Sequence, residues 1–326
     1  MLRNFFIVLV IFTNITLFAK DISPAFVYTA SGGVTDIVNS EDKIYVSTQA
    51  GAVDIFDLKT QKLIQSITVP KITDFMGDEI DAKIYNVDIF DNKIVFTVQA
   101  KSGYREVFIS NNNKVEKYIS VEDKLYVTKT KFIDVNTILF ATLGNKLYLY
   151  DLKTKKTIWD IDIIAPDAEF NSTFADFALN EDRTLAVVAD ESGDLKIVDI
   201  KTAKIIKILA GKNLDKVFKV DIKNNKIITA GQDGRCVVYD LKTNKDYALR
   251  KKHWFLIYAA GLSPSGNLGA YSVDEQNNVV VFDTNTQNEL YLLKENLMTL
   301  NTILFISEEQ LFVATDSNKF NYYILK

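Results

Sequence analysis

One cysteine and one histidine occur in 326 residues. Cys236 has no partner for an internal disulfide. It stands in a Cys-Val-Val-Tyr run, where a small buried hydrophobe is expected rather than a reactive thiol. A single histidine excludes three-histidine and His/Cys zinc sites. Ser–His–Asp and Cys–His nucleophilic sites would both need His253 as base, and no Ser or Cys is marked as its partner. There is no Cys-x-x-Cys-His for covalent haem and no Gly-x-x-x-x-Gly-Lys phosphate loop. The expectation is a protein that is not an enzyme, with no metal and no cofactor. Proline is scarce, with 4 in all, and Pro70, Pro166 and Pro264 fall outside the β-rich runs, as ladder bonding requires. A formal net charge of −4, with no Lys/Arg run along a groove, argues against a nucleic-acid partner. No stretch keeps a helical period over three turns, and no linker or low-complexity segment divides the chain.

What the sequence does have is a recurring phrase. Residues 193–209, GDLKIVDIKTAKIIKIL, read turn, strand, turn, strand. The phrase returns at 51–64, 145–158, 234–247 and 277–290, each time with an aspartate closing the first strand: Asp57, Asp151, Asp199, Asp240 and Asp283. An aspartate suits that place because its carboxylate bonds backbone N–H groups just ahead of it. The spacings are 94, 48, 41 and 43 residues. The double gap holds a worn copy, EVFISNNNKVEKYI at 106–119, with Asn in place of Asp. A seventh copy, KFNYYILK, begins at Lys319.

Each phrase is preceded by two further β-rich runs. The inner ones are expected at 34–39, 84–90, 132–136, 174–180, 218–222, 256–263 and 301–306. Four short strands per period of roughly 40–50 residues predict an all-β fold, a seven-bladed β-propeller with four-stranded antiparallel blades. The seventh copy lacks its outermost strand. Residues 25–30, AFVYTA, precede the first blade and are free to supply it, so the N-terminal strand is expected to pair with the C-terminal blade and close the ring.

On this period and pattern the chain resembles a degenerate WD40-type or YVTN-type propeller from end to end. It departs from the WD40 signature. The Gly-His pair is absent, and the strand-ending Trp-Asp is replaced by Phe-Asp, Tyr-Asp or Val-Asp. Trp159-Asp160 falls in an outer strand, so the Asp–His–Ser/Thr–Trp network of that family cannot be assembled.

Residues 1–19 read as a secretory signal peptide. Arg3 is followed by an apolar run, Phe5 to Phe18, broken only by Thr13, Asn14 and Thr16, and then by Ala19. The run is short for a bilayer span of about 20 residues. A periplasmic protein of residues 20–326, one propeller with no membrane span left after cleavage, is therefore expected. The signal peptide, the degenerate propeller and a Lys/Asn/Ile-rich composition together resemble the propeller-type (L-type) accessory protein of periplasmic nitrate reductase. That resemblance implies a protein partner among the nitrate reductase components. The other readings are a different exported interaction scaffold, serving envelope or outer-membrane assembly, or a propeller that binds a cation or small ligand.

Three groups of residues stand out as sites. The link 70–83 carries Asp74, Asp78, Glu79 and Asp81 without the order of a calcium loop; it reads as a polar or interacting loop. Arg250, Lys251, Lys252, His253 and Trp254 form a basic-aromatic stretch, either a docking patch for an acidic partner or a solvated loop. Asp36, Asp88, Asp134, Asp176 and Asp221 each precede an aliphatic or aromatic residue in an inner strand. They are expected in the central channel at one depth, as a cation-binding ring or as pegs bonded to neighbouring backbone. A feature shared by so many blades favours the pegs, because a site usually breaks a repeat.

Overall fold

In the computed structural model, residues 19–112, 114–164, 171–251 and 255–326 are described. Seven sheets follow one another around a ring. The first five blades are continuous antiparallel meanders, for example Val34–Ser40, Lys43–Thr48, Ala52–Asp57 and Lys62–Thr68 in blade 1. Among the described residues, helix is confined to two short 3₁₀ turns, Lys101–Gly103 and Val121–Asp123.

Two inner strands differ from the expected ranges. Blade 3 uses Val127–Asp134, earlier than expected, and blade 6 keeps only Ala260–Leu262. Gly261 explains the tightness of blade 6. A Cβ there would stand 2.5 Å from the carbonyl oxygen of Ile303, so the neighbouring inner strand leaves no room for a side chain.

The core is divided into seven wedges, each made by the facing sides of two adjacent blades. Period-two alternation in each strand places every second side chain in one wedge and the rest in the next. The wedge between blades 7 and 1 is the seam. Phe26–Thr29 pairs antiparallel with Lys319–Ile324, with Phe26 opposite Tyr322, as the missing outer strand required. Tyr28 is the centre of this seam. It stacks on Phe320 with centroids 5.0 Å apart and meets Phe26, Phe56 and Phe312 edge-on. Burial, then the neighbouring Tyr322 and Asp57, pushes its hydroxyl pKa up to about 12.

A second latch was not evident from the sequence. Lys20–Ile22 lies parallel to Glu289–Leu293 as a fifth strand on blade 6, and the amide of Lys294 donates to the carbonyl of Ile22 at 3.0 Å. The segment 20–29 therefore holds two neighbouring blades at once.

The repeated Asp-x-x-Thr phrase closes the turn between third and fourth strands. Asp57, Asp151 and Asp199 each accept from both the amide and the hydroxyl of the threonine three residues on, at 2.6–3.0 Å. Asp240 and Asp283 accept from the amides two and three residues on. These bonds to the ionised form hold the Asp57 and Asp151 carboxyls, through the backbone amide first, and Asp199, through the threonine hydroxyl first, below the ordinary value. The next residue in four of these turns, Gln61, Lys155, Ala203 or Asn244, adopts φ between 53° and 59°.

In place of the WD40 network, several blades carry their own buried polar cluster. Blade 4 holds Lys196 against Asp190 at 2.6 Å and Ser192 at 2.9 Å, while Asn145 of blade 3 donates to the same aspartate. Blade 5 uses Asn213, Thr229 and Tyr239, and blade 7 uses Asn321 and Tyr323 with Asn296. Burying such groups is tolerable because they bond one another, although Oδ1 of Asn145 has no hydrogen-bond partner among the described residues.

Candidate interaction face and axial channel

The meander gives the disc two unlike faces. The lower face carries the turns between first and second and between third and fourth strands. The upper face carries the blade-to-blade links and the turns between second and third strands. Among the described residues, the large apolar side chains left exposed outside the perimeter strands are Phe75, Met76, Tyr126, Leu143, Leu214, Leu297 and Met298. All seven lie on upper-face links or turns. The lower face has none.

The link 70–83 is structured. Ile72–Thr73 pairs with Glu79–Ile80 as a small hairpin. Asp74 builds its tip: its carboxylate accepts from the amides of Met76 at 2.8 Å and Asp78 at 2.9 Å. The tip carries Phe75 at 96% exposure and Met76 at 72%. Asp81 pairs with Lys71 at 3.3 Å. The four carboxylates therefore do not converge, and among the described residues no cluster of three or more His, Cys, Asp or Glu is placed to hold a metal ion.

Of the basic-aromatic stretch, Lys252, His253 and Trp254 lie outside the described residues. Lys251 is engaged by Glu289, and Arg250 is exposed. Phe255 and Tyr258 pack edge to face nearby, and Tyr258 stacks on Phe218 of blade 5.

The channel differs from the expected ring of carboxylates in three ways. Asp134 is not in the channel. It ends its strand exposed and closes a turn, accepting from the amides of Asn136 and Thr137 and the Thr137 hydroxyl. The other four stand at two depths. Most inner strands carry a register break near their start; Asp36 and Asp176 are the first paired residues after it, whereas Asp88 and Asp221 come two residues later. Finally, the carboxylates are interleaved with cations. Lys129 and Lys219 fill the first depth in blades 3 and 5, and Lys131 fills the second in blade 3.

Each channel aspartate accepts an amide from the inner strand of the next blade. Asp36 takes Val87 at 3.3 Å, Asp88 takes Phe132 at 2.9 Å, Asp176 takes Val220 at 3.1 Å and Asp221 takes Leu262 at 3.0 Å. Asn86 makes the equivalent bonds to Thr130. Lys129 pairs with Asp176 at 2.5 Å. Arg183, from the first lower turn of blade 4, was not singled out from the sequence. It reaches across to Asp88 of blade 2 at 2.6 Å and to the Phe132 carbonyl of blade 3. Burial alone would raise the Asp88 pKa, but Lys131 and Arg183 outweigh it and hold the carboxyl below its usual value. Asp176 is lowered in the same way against burial by Lys129 and Lys219. The axial space is split into cavities of about 270 Å³ below and 250 Å³ above, both bordered by Asp36, Lys129, Asp176 and Lys219. These four residues form a charged waist that ties blades together.

No family model matches the chain, and no curated protein matches its sequence. Its fold is similar to the solved β-propeller domain of Cps50 (Swd1) from Myceliophteria thermophila, with a TM-score of 0.72 over 91% of this chain and 98% of that one, at 13% identity. No helix among the described residues is long and apolar enough to cross a membrane. The chain has the seven-bladed β-propeller fold, all-β, with four-stranded antiparallel blades.

Proposed function

We propose that this protein is a non-catalytic propeller that holds a partner protein on its upper face. The observation that carries this reading is the segregation of exposed apolar side chains between the two faces: among the described residues, seven lie on the upper links and turns and none on the lower turns. Scattered exposed apolar residues are ordinary, and Val27, Leu63, Ile64, Ile158, Ile206 and Ile208 lie on the perimeter strands; the contrast between the two faces of the disc is what points to an interaction surface above.

The finer reading rests on the resemblance in sequence. Residues 1–19 export the chain to the periplasm, where it acts as an accessory or maturation factor of a nitrate reductase system. The charged, mutually bonded channel residues are structural pegs in this reading.

Both levels can be tested. Leu214→Asp with Leu297→Asp should abolish co-purification of the partner and leave the thermal midpoint unchanged, because both side chains face solvent. Loss of folding, or undiminished co-purification, would contradict the docking role. Deleting the gene should lower periplasmic nitrate reduction while the reductase polypeptide persists; unchanged nitrate reduction would remove the accessory role and leave the docking role standing.

A further inference from the structure

The hairpin of the 70–83 link differs from the other upper-face connections among the described residues. Its tip residue Phe75 is almost wholly exposed, and Met76 beside it is little less so. Yet the backbone beneath them is tightly held. The Asp74 amide donates to the Asp78 carbonyl at 2.9 Å, the Asp74 carboxylate accepts the two amides already described, and Ile72 pairs with Ile80. An aromatic and a thioether side chain are thus presented to solvent on a preformed support. Their ordering has largely been met before any partner arrives, which raises the affinity available from burying them.

Charge surrounds this apolar tip. Asp78 and Glu79 follow Met76 after Gly77, and Asp74 precedes Phe75. Asp81 is paired with Lys71, but among the described residues no ion pair engages Asp78 or Glu79. The complement of such a knob is an apolar pocket with lysine or arginine on its rim.

A second copy of this chain does not offer that pocket on its axis. The two axial cavities are walled by Asp36, Lys129, Asp176 and Lys219, with Arg105 at the upper mouth. Seating Phe75 there would desolvate charges without pairing them.

We infer that the 72–80 hairpin is the anchor of the docking face, its Phe75–Met76 tip entering an apolar, basic-rimmed pocket on a different protein. The inference rests on the docking role proposed above and adds the residue pair and the chemistry of the partner's surface.

The test places a photo-crosslinking phenylalanine analogue at position 75 of the full chain in its source cells. Parallel placements at Leu214 on the upper face and Asn244 on the lower face serve as comparators. The expected result is an adduct from position 75, mapped to a partner residue in an apolar cleft bordered by Lys or Arg. With that partner purified, Phe75→Ala plus Met76→Ala should weaken binding on the order of thirtyfold or more, with an unchanged thermal midpoint. Asp78→Lys plus Glu79→Lys should weaken it at low salt and far less at high salt.

Adducts from position 214 without any from 75 would overturn the anchor and leave the docking face intact. So would a pocket of acidic rim, or an adduct between two copies of this chain. Adducts from position 244 alone, or none from any position, would overturn the anchor and the docking face together.

Discussion

The two faces of this disc are made by the same meander and have opposite characters. The lower face is repetitive and polar. Its third-to-fourth-strand turns reuse one solution, an aspartate accepting from a residue three places on, in blades 1, 3, 4, 5 and 6. Among the described residues, the blade-to-blade links of the upper face differ from one another. One link is a hairpin with an apolar tip, another carries a 3₁₀ turn, and a third carries Leu297 and Met298. The contrast shows how a repeat protein divides its labour. Each blade must reverse direction in the same short distance below, so the same residues recur there. Above, the links need only reach the next blade, so they are free to differ and to serve a partner.

This division predicts that changes below alter stability and spare docking, whereas changes to the upper apolar residues do the reverse. The largest effect is expected at the lower end of the channel. Asp88→Ala leaves Arg183 and Lys131 without their buried counter-charge and should cost about 3–5 kcal/mol of unfolding free energy, measured by denaturant titration. A loss under 1 kcal/mol would mean that the pegs do not bind the blades.

Acid should act on the same groups. Asp88 and Asp176 have depressed pKa values in the folded state. Their contribution is therefore fully present above the unfolded carboxylate value of about 4 and is lost as pH falls through the lower folded values. The thermal midpoint should be level from neutral to about pH 5 and drop below about pH 4. Asp88→Asn should make that drop shallower; curves of identical shape would show that the channel is not its source.

The smallest effect is a gain. Ala203 sits in the blade 4 turn at φ 54°, where a β-carbon is disfavoured. Ala203→Gly should stabilise the protein by up to about 1 kcal/mol and leave partner binding as it was. Destabilisation would show that the turn tolerates its side chain without strain.

The ring was legible in the sequence because the Asp-x-x-Thr turns mark blades at a steady spacing, and the seam was legible because one copy lacked a strand. The second latch was hidden: Lys20-Asp21-Ile22 is too short and too polar to read as a strand. The hairpin at 72–80 was hidden for a related reason, since two-residue strands carry no alternation. The channel was misread where adjacency in sequence stood in for depth. Asp134 shares its Asp-aliphatic pattern with Asp36, but its strand starts earlier, so Lys129 and Lys131 take the inward positions. Arg183 could not be found by scanning inner strands at all, because it enters the channel from a turn.

The seam between Phe26–Thr29 and Lys319–Ile324 has a consequence for how the protein comes into being. With six blades formed the ring is still an open arc, because Lys319–Ile324, the partner of Phe26–Thr29, belongs to the seventh. Circularity arrives only when Lys319–Ile324 meets Phe26–Thr29, a pairing between segments far apart in sequence, and such distant pairings are slow to establish. Until then Phe26–Thr29 stands without its neighbour.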